Sequence, residues 1–382
     1  MRAERLRDFP LDPGVVMLNH ASYGVTTHES MAGAERLRRG IEADPLRVLG
    51  TDELTPRLRA QADALAAAES LDPSLTTLCA NATSGAAAVI DSVRPRPGAA
   101  VVVLDTEYSS VQRAWEVKCE RAGAPVIRVP VPVPLDGVSE LVGALDAAVP
   151  GEVAYLQLSL VSSSAAIHFP VAEISAWAGE RGGRVVLDAA HGPGHVPLEP
   201  EAWNVAAMFG TVHKWYPTLR PVGLLWLDET LVDHVRPAEV SLTWDSPDLV
   251  ERFSWPGTFD PVPRLGVECA IGQWRAWQDA GELEECRKLA DLASALLVEA
   301  GAVPTAAQEL TPPRLRAFLL HGLSPDEVKA DLFEADVRAW VGPGAQGECL
   351  VRVSPHVYND AGDVEKLVAR VRALLRRRGG GR

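Results

Sequence analysis

A chain of 382 residues can bury one large core and a smaller one, and its 47% apolar and 23% charged content is that of an ordinary soluble enzyme. The formal charge of -14 argues against a general nucleic-acid binder, which needs basic surface to release phosphate counterions. No apolar run approaches the roughly 20 residues that span a bilayer, and the charged start Met1-Arg2-Ala3-Glu4-Arg5 is not followed by a signal-like apolar stretch. A cytoplasmic protein without nucleic-acid or membrane partners is expected.

From about residue 75, short β-branched runs alternate with helical stretches, as in a parallel sheet covered by helices on both faces. Expected strands occupy 99–104, 125–129, 153–158, 184–187, 205–209 and 223–227, and their near-continuous apolar character fits burial on both faces. Helical spacing fills 111–122, 138–147 and 171–179, with Gly123, Gly151 and Gly182-Gly183 where helices stop. The pattern changes near 261. There Asp260-Pro261-Val262-Pro263 precedes helical stretches at 264–280 and from 281 to about 300, followed by strand 315–320, helix 325–335, strand 349–353 and helix 362–375.

The expected fold class is therefore α/β, a mainly parallel sheet sandwiched by helices in a large domain over 21–260, with a smaller α+β C-terminal domain over 261–382. The basic tail 376–382 reads as a frayed, disordered terminus. Five cysteines, at 79, 119, 269, 286 and 349, lack C-x-x-C spacing, so reduced, mostly buried thiols are expected rather than disulfides or a zinc site.

Lys214 closes an apolar run beside His213 and Trp215, a poor setting for a merely solvated charge. Such neighbours lower a lysine's pKa and make it a usable amine nucleophile, although a surface lysine is the plain alternative. Asp188 ends the apolar segment 184–187, where open α/β sheets place their ligand crevice. It either caps the next turn or faces a pyridine nitrogen. A lysine for a Schiff base and a carboxylate for a ring nitrogen are the protein partners that pyridoxal phosphate requires.

The remaining candidates stay two-sided at this level. His191 could stack on such a ring, hydrogen-bond its phenolic oxygen, or be a satisfied loop histidine. Asn81-Ala82-Thr83-Ser84-Gly85-Ala86 precedes helical 87–93, so it either cradles a phosphate at a helix N-terminus or caps that helix. Tyr108 could stack on a planar cofactor or pack in the core. Arg352, a charge inside an apolar strand, needs a carboxylate from a substrate or from the protein. There is no G-x-S-x-G, H-E-x-x-H or P-loop, and His20, His28, His168 and His195 show no metal-ligand spacing.

Taken in order, Leu18-Asn19-His20-Ala21-Ser22-Tyr23-Gly24, Asn81-Ala82-Thr83, Glu107-Tyr108, Asp188-Ala189-Ala190-His191, His213-Lys214-Trp215, Gly257-Thr258-Phe259-Asp260, Arg352-Val353-Ser354 and Tyr358-Asn359 resemble the class V aminotransferase group of pyridoxal-phosphate enzymes. The similarity is greatest to its isopenicillin N epimerase-like branch and spans nearly the whole chain. It implies a fold-type-I homodimer with shared active sites, in which residues 1–20 pack with the small domain. Lys214 would be the Schiff-base lysine, Asp188 the pyridinium partner and His191 a further catalytic and cofactor contact. Ala82, Thr83 and His213 would hold the phosphate, Tyr108 would stack on the ring, Ser163 would approach its phenolic oxygen, and Thr258 would reach the neighbouring subunit's phosphate. Arg352 would take the substrate α-carboxylate, with Asn19, His20 and Arg47 near the substrate side chain.

The implied activity is chemistry at Cα or Cβ of an amino-acid substrate, of epimerase or aminotransferase type, in secondary metabolism. A β-eliminating C–S lyase is the alternative, and a catalytically silent ligand-binding relative is the alternative of another class. Three departures, Ala21 and Pro221 for glycine and Phe259 for arginine, alter the expected substrate pocket. The loop 342–348 carries no cysteine and Cys349 opens a strand, which disfavours a persulfide-forming desulfurase.

Overall fold

The computed structural model describes residues 6–379. Strand β1 (Val16–Met17) runs parallel to β11 (Val337–Arg338), so the N-terminal segment is tied at once to the far end of the chain. Residues 1–5 of that segment lie outside the described residues. Helices His28–Ala43, Pro45–Leu49 and Thr51–Glu69 follow. The last of them buries Leu54, Leu58, Ala62, Leu65 and Ala66, a stripe at helical spacing.

The central sheet comprises β2 (Thr76–Cys79), β3 (Ala100–Leu104), β4 (Val126–Val129), β5 (Val153–Ser159), β6 (Arg184–Ala189), β7 (Val205–Thr211) and β8 (Gly223–Leu227), in the order β2-β8-β7-β6-β5-β3-β4. From β4 to β7 neighbours run parallel, and β8 is antiparallel to both β7 and β2. Alternate residues feed opposite cores: Val102 and Leu104 join one cluster, Val101 and Val103 the other. That two-sided burial is why these strands read as unbroken apolar runs. The six expected strands appear within two residues of their expected ends. The short β2, opening on Thr76-Thr77, was not among them.

A second sheet, β12-β13-β10-β9, is antiparallel and contains β9 (Val303–Pro304), β10 (Arg316–Leu319), β12 (Trp340–Pro343) and β13 (Cys349–Val353). The core beside it gathers Val16 and Leu18 together with Leu297, Val328, Val351 and Val371. Val267, Ala270 and Ile271 belong instead to the main core, as do Leu310, Leu315 and Ala317.

The basic tail departs from expectation, because helix Ala361–Gly379 carries Arg376 and Arg377 within it. Cations in a last helical turn meet the negative end of the helix dipole. Residues 380–382 lie outside the described residues. All five cysteines are free and four are buried, with Cys269 exposed. Among the described residues no helix is long and apolar enough to cross a membrane.

Candidate active site

Strands β2, β3, β5, β6 and β7 point the same way, and the segments leaving their carboxyl ends surround one cavity of about 360 Å³. β2 delivers Asn81, Ala82 and Thr83; β3 delivers Tyr108; β5 delivers Ser159 and Ser163; β6 delivers Asp188 and His191; β7 delivers Thr211, His213 and Lys214. The N-terminal segment forms the remaining wall through Ala21, Ser22 and Tyr23. It is held there by a close approach of backbones. A Cβ at Gly24 would lie 1.9 Å from the His213 carbonyl oxygen, and Gly24 has φ +66°, so glycine is required on both counts. Helix Ala82–Ser92 begins with a capping box, in which Asn81 accepts from the Ser84 N–H (2.9 Å) and the Ser84 hydroxyl accepts from the Asn81 N–H (3.0 Å). The N–H groups of Ala82 and Thr83 fall in its first turn, where a helix has no acceptors of its own.

Charges in the cavity act on one another. Burial lowers the Lys214 pKa to about 8, with Asp188 pulling it up and Arg352 pushing it further down. Asp188, whose carboxylate accepts from the Ala190 N–H at 2.8 Å, is raised to about 6 by burial. His191 is buried with both ring nitrogens unpartnered, and burial holds it well below the usual histidine range, hence neutral. His213 Nδ1 lies 3.0 Å from both the N–H and the carbonyl oxygen of Val222, and burial lowers this ring to about 4. Tyr108 is 49% exposed, so it is not packed in the core and its ring stands at the cavity.

Arg352 is buried on β13 and its guanidinium donates to the Ser163 carbonyl, to the Ser22 hydroxyl (2.8 Å) and to Asn19 Oδ1 (3.3 Å). Its Nε has no acceptor, and among the described residues no carboxylate pairs with it. Burial alone lowers its pKa, to about 10.

Other residues are placed elsewhere. His20 lies behind the cavity wall, bonded to the Tyr358 hydroxyl (3.0 Å) and stacked 3.7 Å from His356, and Trp215 is sandwiched in the same cluster with His195 at 3.9 Å. Desolvation among those rings holds His20 near 3, hence neutral, and it is not among the cavity's lining residues. Arg47 is exposed, paired with Asp44, and lines a separate cleft beside Arg36 and Arg57. Thr258 is exposed and is not among the cavity's lining residues.

Two residues with no role assigned from the sequence stand out. Glu107 is buried, accepts from the Ser159 N–H and hydroxyl (both 2.8 Å), and is raised to about 8 by burial and by the Asp188 charge. An acidic residue just past an apolar strand end was the available signal. Trp340 lines the cavity beside Arg352, but its position depends on a strand pairing that the sequence does not display.

A lysine, a buried carboxylate and a helix N-terminus at the carboxyl ends of one mainly parallel sheet are the setting of a pyridoxal-phosphate enzyme of fold type I. The chain belongs to the aminotransferase class-V family, whose model matches residues 58–367. It is 28% identical to isopenicillin N epimerase of Amycolatopsis lactamdurans, covering 95% of this chain and 96% of that one. It is 29% identical to a putative L-cysteine desulfhydrase of Oryza sativa subsp. japonica, over 68% of this chain and 57% of that one. Among solved structures, a cystine C–S lyase in complex with its product cysteine persulfide superposes with a TM-score of 0.81 at 18% identity, covering 94% of this chain and 98% of that one. The epimerase and lyase relatives bracket the expected chemistry.

Proposed function

We propose that the protein removes the Cα proton of an amino-acid substrate and returns one to the same carbon, an epimerase-like reaction with Lys214 as the base. The observation that carries this reading is that Lys214, Asp188 and a guanidinium without a carboxylate partner, Arg352, share one cavity. The residues present fit pyridoxal phosphate, which supplies an electron sink for the Cα carbanion when bound. Neutral His191, with no hydrogen bond to satisfy elsewhere, suits the face or phenolic oxygen of a ring. The first-turn N–H groups of Ala82 and Thr83, with His213 on the same cavity, suit a phosphate. Tyr108 suits stacking, Ser163 the phenolic oxygen, and Asp188 holds a proton at the ring nitrogen.

Within that frame Arg352 fixes the carboxylate and so orients the Cα–H bond toward Lys214 Nζ. Lys214 is suited to take that proton because desolvation has already weakened its hold on its own. β-Elimination, including C–S cleavage, is the second reading and is supported by the desulfhydrase relative. Incubating the purified protein with L- and D-amino acids in deuterated water separates the outcomes. Deuterium at Cα with inverted configuration is the expected result. A keto acid indicates transamination, ammonia or sulfide indicates elimination, and no exchange with any substrate overturns both readings.

We further infer a homodimer located in the cytoplasm. Leu46, Val240 and Leu242 are each at least 80% exposed, apolar surface suited to a second subunit, and exposed Thr258 and Arg47 are then available to the partner's site. Five free cysteines suit a reducing compartment. Sedimentation equilibrium should return twice the 41.0 kDa chain mass, and a monomer at micromolar concentration would refute the dimer.

A further inference from the structure

Trp340 stands directly opposite Arg352 in the antiparallel pair of β12 and β13. Residues directly opposite one another share a face of the sheet, so the guanidinium and the indole are presented together. The Arg352 guanidinium carbon lies 5.3 Å from the centre of the Trp340 ring, and both line the Lys214 cavity. Arg352 is held in that position by Ser163 from one segment and by Asn19 and Ser22 from another. A carboxylate on Arg352 therefore brings the rest of its molecule alongside the indole.

The indole in turn has a seat of its own. It lies across Gly342, two residues on along the same face of β12, where a Cβ would come within 2.7 Å of Trp340 Cζ2 and 2.8 Å of Cη2. Gly342 is thus not a loose strand residue: its missing side chain is the space the indole occupies. Nothing at position 342 larger than hydrogen leaves Trp340 where it is.

We propose that Trp340, seated on Gly342, is the wall against which the substrate side chain packs, and that it selects amino acids with an extended, uncharged apolar side chain. This rests on the proposed function, in particular on Arg352 receiving the α-carboxylate. The indole offers a flat apolar surface whose contact is lost to a substrate as short as alanine. It also imposes a desolvation cost on a charged side chain.

The test uses the cofactor-loaded enzyme and follows both turnover and the change in cofactor absorption as alanine, methionine, leucine, phenylalanine and glutamate are added. Wild type should favour the three large apolar substrates over alanine and glutamate. Trp340→Ala should raise KM for those three by about 10–100-fold while alanine changes by less than about 3-fold, the span expected for one buried apolar contact. Trp340→Phe should restore most of the preference, and Gly342→Ala, which leaves the tryptophan in the chain but displaces it, should reproduce the Trp340→Ala pattern. If Trp340→Ala does not fold, the Phe and Gly342 variants decide. Equal losses for alanine and leucine would mean that the indole acts only through Arg352, and unchanged KM values would mean that it does not meet the substrate. Either overturns the proposal alone. An absence of any absorption change in wild type overturns the functional reading beneath it.

Discussion

Lys214→Ala should lower kcat by at least about a thousandfold, within the range that a single general base supplies together with a lost nucleophile. It should also end covalent attachment of pyridoxal phosphate, read by borohydride reduction and peptide mass. The cofactor should still bind without the covalent link, because Asp188, His191, His213 and the first turn of helix Ala82–Ser92 are untouched. Lys214→Arg should not rescue, since a guanidinium keeps its proton at any working pH. A variant retaining a tenth of wild-type activity would remove Lys214 from the mechanism.

The same lysine makes a prediction about pH. Its folded-state pKa is lowered to about 8, so the neutral amine accumulates as pH rises toward 8 and is nearly complete above it. The rate at which cofactor-free protein captures pyridoxal phosphate should therefore rise with pH and level off above about 8. With an unperturbed lysine it would go on rising toward about 10.4. Asp188 pulls the Lys214 pKa upward, so Asp188→Asn should move that plateau to lower pH. A profile still climbing at pH 10 would contradict the burial that sets the value.

The parts of this protein legible in its sequence are those settled locally. Strands buried on both faces show themselves as apolar runs, which is why β3 to β8 could be placed, and Asp188 and Lys214 were conspicuous as polar residues ending such runs. The helices from His28 to Glu69 were not read because most of their surface is polar and their buried stripes are narrow; in His28–Ala43 only Ser30, Ala34 and Ile41 are buried. β12 was missed because Gly342 and Pro343 look like a loop, and the strand exists through its pairing with β13. His20 shows the limit most clearly. Its motif suggested a substrate contact, whereas its surroundings are His356 and Tyr358, more than 330 residues away, and no local pattern reports them.

Arg352 carries the second large expectation. Arg352→Ala should reduce kcat/KM for amino acids by about 30- to 5,000-fold, the equivalent of the roughly 2–5 kcal/mol lost when one partner of a buried, hydrogen-bonded charge pair is removed. Most of the loss should fall on KM, and covalent attachment of the cofactor should persist, because Lys214, Asp188 and His213 remain and Arg352 meets Ser163 only through its backbone carbonyl. Arg352→Lys restores the charge but not the planar fork, so it should recover only part of the affinity. The informative control is the corresponding amine without its carboxylate. If Arg352 serves the carboxylate, its removal should leave amine binding within about threefold, a difference of well under 1 kcal/mol, while amino-acid binding falls. Equal losses for amine and amino acid would show instead that Arg352 matters by tying Asn19 and Ser22 to the loop at Ser163, a brace for the cavity rather than a receptor within it.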